Sequence, residues 1–124
     1  MKDGKHVILC IDDDQDFLDA VIPIVESADY EVVSATSAED GLRLYKEQNP
    51  DLVLIDLMME EVDAGTNFVK EVRAIGTPPP ILMLSSVGDN LSLSTSYTEL
   101  GLAGVLQKPV DPRRLLSTLK AKLA

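Results

Sequence analysis

Cysteine occurs once in the 124 residues, histidine occurs once, and bases are outnumbered by acids, eleven to twenty-one. One thiol cannot close an internal disulfide, so Cys10, inside Val7-Ile8-Leu9-Cys10-Ile11, reads as a small buried hydrophobe. His6 has no Cys or His neighbour and reads as a surface residue. The five-residue run 7–11 is too short for a membrane span, and it stops at three aspartates where a signal-peptide core would continue. The scarcity of bases argues against direct nucleic-acid binding, because phosphate neutralisation needs clustered Lys and Arg, and against an acidic membrane surface. No repeat, low-complexity tract or linker interrupts the chain. These absences lead us to expect a soluble cytoplasmic protein.

What is present is enough hydrophobic sequence, 45%, for one packed domain. The net charge of −10 is unevenly spread. Residues 1–62 carry sixteen acids and four bases, while residues 63–124 carry five acids and seven bases.

Short apolar runs alternate with amphipathic segments. Strands are expected at 7–11, 31–35, 52–55, 81–84 and 104–107. The run at 7–11 is continuous and bounded by polar residues, the pattern of a strand buried on both faces. Helices are expected at 15–28, 38–48, 66–75, 90–100 and 112–123. In the first, Phe17, Ala20, Val21, Ile24, Val25 and Ala28 form the apolar stripe, and Pro23 inside it should kink the helix at a cost of about 3 kcal/mol. In 38–48 the stripe is Ala38, Leu42 and Tyr45, with Ser37 and Asp40 resembling a capping box. In 66–75 it is Phe68, Val69, Val72 and Ile75. In 112–123 it is Leu115, Leu116, Leu119 and Leu123, with Asp111 suited to the N-cap and Pro112 to the first turn. The segment 90–100 is rich in Ser and Thr and has low helical propensity. Five strands alternating with five helices predict a doubly wound α/β domain with a five-stranded parallel sheet.

In such sheets ligands bind beyond the carboxyl ends of the strands. Here those ends carry Asp12-Asp13-Asp14, Asp56, Ser85-Ser86 and Lys108-Pro109. Two like charges 4 Å apart repel by about 4 kcal/mol at an effective dielectric of 20, so the carboxylates call for a cation. A few hard oxygen ligands with room for water and phosphate suit Mg²⁺. Lys108 adds a point charge and Ser85 a hydrogen-bond donor, a set suited to phosphoryl transfer. A carboxylate can itself accept the phosphoryl group, and Asp56, alone on the central strand, is the natural acceptor.

Asp12-Asp13, the segment Pro50-Asp51-Leu52-Val53-Leu54-Ile55-Asp56-Leu57-Met58-Met59, Leu84-Ser85-Ser86 and Lys108-Pro109 resemble, in order and spacing, the receiver domain of two-component response regulators. The resemblance covers about residues 5–122, and the expected organisation is one receiver domain over 1–124 with no output domain in this chain. It implies a flavodoxin-like fold with strand order 2-1-3-4-5 and a cis peptide at Lys108-Pro109. It implies that Asp56 accepts the phosphoryl group, while Asp12, Asp13, Asp56 and the Met58 carbonyl bind Mg²⁺. Ser85 and Lys108 would hold phosphoryl oxygens. The implied donor is a phosphohistidine on a sensor kinase or phosphotransfer protein. Downstream, an effector protein or an output domain would read the switch on the surface of the 90–100 helix, the fifth strand and the last helix. A phosphorylation-dependent homodimer is a further partner on this reading. Such a module is a signalling receiver that catalyses only its own phosphorylation and dephosphorylation.

Several positions depart from the family pattern. Val105 stands where the family usually has an aromatic residue three positions before the lysine. Glu60-Glu61 replaces the common Pro-Gly after the third strand, in a loop one residue longer and more acidic. Met58 and Val87 are apolar at positions that influence acyl-phosphate lifetime, so slow hydrolysis is expected. A phosphorylation-independent pseudo-receiver is the alternative; it typically loses one or more of the acids, Ser or Lys that this chain keeps. A haloacid dehalogenase-like phosphatase would match Asp12-x-Asp14, but the chain is short for that class. A flavodoxin-like FMN binder lacks support, because acids replace the phosphate loop.

Overall fold

A computed structural model describes residues 4–56, 64–85 and 102–123. Its elements, in chain order, are β1 (Val7–Ile11), α1 (Gln15–Ser27), β2 (Glu31–Ala35), α2 (Ala38–Gln48), β3 (Leu52–Asp56), α3 (Ala64–Ile75), β4 (Ile81–Ser85), β5 (Gly104–Gln107) and α4 (Pro112–Leu123). The five strands form one parallel sheet in the order β2-β1-β3-β4-β5. The predicted helix 90–100 lies outside the described residues, as do Met58, the Glu60-Glu61 loop and Val87.

The alternation of side chains along each strand divides the core into two layers. Leu9, Ile11, Val53, Ile55 and Met83 face α2 and α3, where Phe68, Val69 and Val72 meet them. Ile8, Cys10, Leu54, Leu82 and Leu84 face the opposite way, onto Leu18, Val21 and Val25 of α1 and Leu115 and Leu119 of α4. With helices on both faces, β1 and β3 are buried along their whole length. Cys10 sits within this core, and burial pushes its thiol pKa up to about 12.

Helix starts follow local chemistry. Asp14 caps α1 by accepting from the backbone N–H groups of Asp16 and Phe17. Ser37 caps α2 by accepting from Asp40 N–H at 3.1 Å. Asp111 accepts from Arg113 N–H at the start of α4. Helix α1 continues through Pro23, which lies on its exposed side. Gly41 is buried in α2, and a Cβ there would lie 2.5 Å from Cδ1 and 2.8 Å from Cγ1 of Ile11. The absence of a side chain at this position lets α2 approach the carboxyl end of β1.

Two stripe expectations need correction. In α1 the buried line is Leu18, Val21 and Val25, while Ala20 is exposed and Phe17 and Ile24 are only half-buried. The apolar arc of α1 is wide, and the sheet contacts one side of it. In α3, Ile75 is 58% exposed, because it is the last residue of the helix and lies beyond the side chains that face the core.

Candidate phosphoryl and metal site

The carboxyl ends of β1, β3, β4 and β5 share one edge of the sheet, so a polar residue ending each strand is delivered to the same place. Asp12 follows β1 directly, Asp56 ends β3, Ser85 ends β4, and Lys108 follows β5. Asp12 is fully buried and Asp56 is 5% exposed, whereas Asp13 is exposed. Carboxylate oxygens of Asp12, Asp13 and Asp56 all lie within 4.8 Å of one another.

Lys108 Nζ lies 2.5 Å from Asp12 Oδ2 and 3.1 Å from Asp56 Oδ2. It also sits 4.4 Å from the centroid of the Phe17 ring, a cation–π distance. The lysine is anchored at its backbone, where Lys108 N–H donates to the Ser85 carbonyl at 2.6 Å, and its peptide bond to Pro109 is cis. Ser85 is half-buried, beside Gln107 of β5 in the register of the sheet.

The electrostatics follow from burial. Desolvation pushes the Asp12 pKa above the usual carboxylate range. Hydrogen bonds from Lys108 and from Asp14 N–H, at 2.9 Å, oppose it without cancelling it, and the nearby Asp56 charge adds to the rise. Burial works to lower the Lys108 pKa, but its contacts with Asp12 and Asp56 outweigh that and hold it above the ordinary lysine range. One ammonium thus faces three carboxylates. That donor set fits a small hard divalent cation: three oxygens converge, and the exposed Asp13 leaves one side open to water and to an oxyanion.

The structure brings together Asp12, Asp13, Asp56 and Lys108, with Ser85 on the adjacent strand end; Met58 lies outside the described residues. Sequence reasoning assigned Phe17 to the core stripe and missed its contact with Lys108. Its position one turn into α1, directly after the acidic loop, was the available signal.

The chain is similar in sequence and in fold to known proteins. A "Probable transcriptional regulator ycf27" of Guillardia theta is 31% identical over 119 residues, covering 96% of this chain and 46% of that protein. The "Transcriptional regulatory protein ZraR" of Salmonella typhimurium is 33% identical, covering 98% of this chain and 27% of that protein. The chain therefore spans about half or less of these relatives. Among solved structures, the chemotaxis protein CheY4 of Vibrio cholerae superposes with a TM-score of 0.87 at 30% identity, covering 97% of this chain and all of that one. Residues 8–120 match the family described as response regulator receiver domain, and the chain belongs to that family.

Proposed function

We propose that this chain is a phosphoacceptor signalling module that works in the cytoplasm, with Asp56 as the acceptor. The reading rests on the convergence of Asp12, Asp13 and Asp56 within 4.8 Å around one shared lysine. An Asp56 carboxylate oxygen attacks the phosphorus of a phosphohistidine donor. A P–O bond forms, the P–N bond breaks, and the imidazole leaves with the bonding electron pair. Lys108 turns from its carboxylate partners to a phosphoryl oxygen, and the Ser85 hydroxyl donates to another. Asp12, Asp13 and Asp56, with the Met58 carbonyl that the family resemblance implies, would hold Mg²⁺, which when bound would supply charge neutralisation for the acidic cluster and the phosphoryl group. Hydrolysis returns the carboxylate: water attacks phosphorus, and inorganic phosphate leaves.

On this reading, the donor is a sensor histidine kinase or histidine phosphotransfer protein. The output is an effector protein, or a domain outside these residues, that reads the surface of 90–100, β5 and α4. Val105, 37% exposed on β5, replaces the usual aromatic switch residue, so any rearrangement of this surface proceeds without an inward-turning ring.

The test is incubation with a small acyl-phosphate donor, with and without Mg²⁺, followed by mass spectrometry. One added phosphoryl group is expected, dependent on Mg²⁺ and absent from Asp56→Asn. No adduct under any condition would instead favour a phosphorylation-independent interaction domain.

A further inference from the structure

Phe17 stands apart from the buried line of α1. Leu18, Val21 and Val25 form that line, whereas Phe17 is half-buried at the edge of the same core layer. Its ring meets a side chain from the far end of the sequence: the Lys108 ammonium stands over it, 4.4 Å from the ring centroid. The Lys108 side chain is 15% exposed, so the contact is largely sheltered from water, where a cation–π attraction is strongest. The ring is also tied to the acids beside it. Asp12 Oδ1 accepts from Asp14 N–H at 2.9 Å, and Asp14 Oδ1 accepts from Phe17 N–H at 3.3 Å. The ammonium over the ring then closes back on Asp12 Oδ2. One short segment thus supplies both the acid that attracts the lysine and the ring that backs it.

We infer that Phe17 is a positioning residue for phosphoryl transfer, its ring holding the Lys108 ammonium beside Asp56. The inference rests on the reading of Asp56 as the phosphoacceptor. A lysine carries its charge on a flexible four-carbon stem, so its surroundings must fix where the ammonium points. The carboxylates that attract it have other engagements: Asp12 and Asp56 are both candidate Mg²⁺ ligands, and Asp56 is also the acceptor. The ring has none. Its face attracts the ammonium whether or not the carboxylates are engaged. The charge therefore stays next to the place where a phosphoryl oxygen arrives, and less reorganisation is needed as the new bond forms.

An aromatic ring suits this place better than either obvious substitute. A further carboxylate would hold Lys108 more firmly, but it would add a fourth negative charge to a cluster that an anionic phosphoryl group must approach. An aliphatic side chain would fill the same space without attracting the ammonium, leaving the lysine to follow its carboxylates alone. The ring attracts the cation through its quadrupole and carries no net charge of its own.

The test sets Phe17→Leu, which keeps an apolar side chain, against Phe17→Tyr, which keeps the ring. Phe17→Leu should slow phosphoryl uptake from a small acyl-phosphate donor at saturating Mg²⁺ about three- to tenfold, the range of one partly desolvated cation–π contact, without moving the half-saturating Mg²⁺ concentration. Phe17→Tyr should keep the unsubstituted rate. Fluorinated phenylalanines placed at position 17 drain the ring face of negative potential with little change of shape, and uptake should fall stepwise with each added fluorine. Nuclear magnetic resonance of the metal-free chain reads the contact directly. The Lys108 ε-methylene protons should lie upfield of those of a free lysine, return towards that position in Phe17→Leu, and stay upfield in Phe17→Tyr. Far-UV circular dichroism checks that each variant is folded. Equal uptake by Phe17→Leu, uptake indifferent to fluorine, or an ε-methylene signal at the free-lysine position would each overturn the inference and leave Asp56 as acceptor. No adduct on the unsubstituted chain would overturn the acceptor reading itself and the inference with it, and that result is seen before any substitution is made.

Discussion

Strand β3 is bracketed by two aspartates that meet opposite fates. At its amino end, Asp51 Oδ2 accepts from Val7 N–H at 2.7 Å, and Asp51 N–H donates back to the Val7 carbonyl at 2.7 Å. At its carboxyl end, Asp56 divides one lysine with the buried Asp12 and lies within reach of Asp13. The pKa values of Asp51 and of Asp12, beside Asp56, move in opposite directions. Burial raises that of Asp51, but the Val7 N–H and nearby positive charge, His6 included, together outweigh it and leave the group below the ordinary carboxylate range. Burial raises that of Asp12, and its partners fail to bring it back. A backbone N–H is a fixed partner that ties a carboxylate into the sheet. A single shared ammonium leaves negative charge unbalanced, and that imbalance is what an incoming cation relieves. One end of the sheet is closed by its aspartate, and the other is held ready for a ligand.

The sharpest way to break this comparison is to remove the shared cation. Lys108→Met leaves Asp12 fully buried with only the Asp14 N–H to stabilise its charge. Loss of one member of a buried pair costs about 3–5 kcal/mol, so urea unfolding in a chelator should show a drop of that order. Placing Lys108→Met in an Asp12→Asn background should recover most of it. Equal losses in both backgrounds would mean that Lys108 stabilises the fold through its stem and the Phe17 ring, with no charge role.

A somewhat smaller effect is expected from the packing beneath the acidic end. Ile11 precedes Asp12 and is fully buried, so it cannot retreat from a side chain added at position 41. Gly41→Val should cost about 2 kcal/mol by overpacking and should also slow phosphoryl uptake by displacing the end of β1. Unchanged uptake with lowered stability would show that the site tolerates movement of Ile11.

Much of this end of the molecule was legible in the sequence. Asp12, Asp13, Asp56, Ser85 and Lys108 each terminate or follow an apolar run, and parallel topology sends all such ends to one edge. The doubly wound parallel class followed from the alternation of runs with helical stripes, and the strand order from the family resemblance. The centre of the α1 stripe was not legible, because Phe17, Ala20 and Ile24 widen the apolar arc and only the sheet's position selects Leu18. Ile75 fits the period of α3 but falls where the helix has passed the core. Asp51 was legible only as part of a motif: its partner, Val7 N–H, belongs to another strand 44 residues away. One strand's sequence does not say which backbone donor its neighbour will present.

The smallest predicted effect belongs to that closed end, and it carries a sign. The Asp51 pKa in the folded state lies below the ordinary value of 3.8, so its contribution to stability is fully present above that value. It is lost as pH falls through the folded value, because the unfolded chain takes up the proton first. Asp51→Asn keeps an oxygen to accept from Val7 N–H but removes the charge, and should cost about 1 kcal/mol at pH 7. The same variant should unfold with a shallower acid dependence below about pH 4, since one proton-linked loss is gone. Urea midpoints measured from pH 7 downwards give both quantities. An acid limb as steep as that of the unsubstituted chain would mean that the Val7 N–H serves a neutral acceptor as well as a charged one. The two aspartates of β3 would then differ in geometry alone.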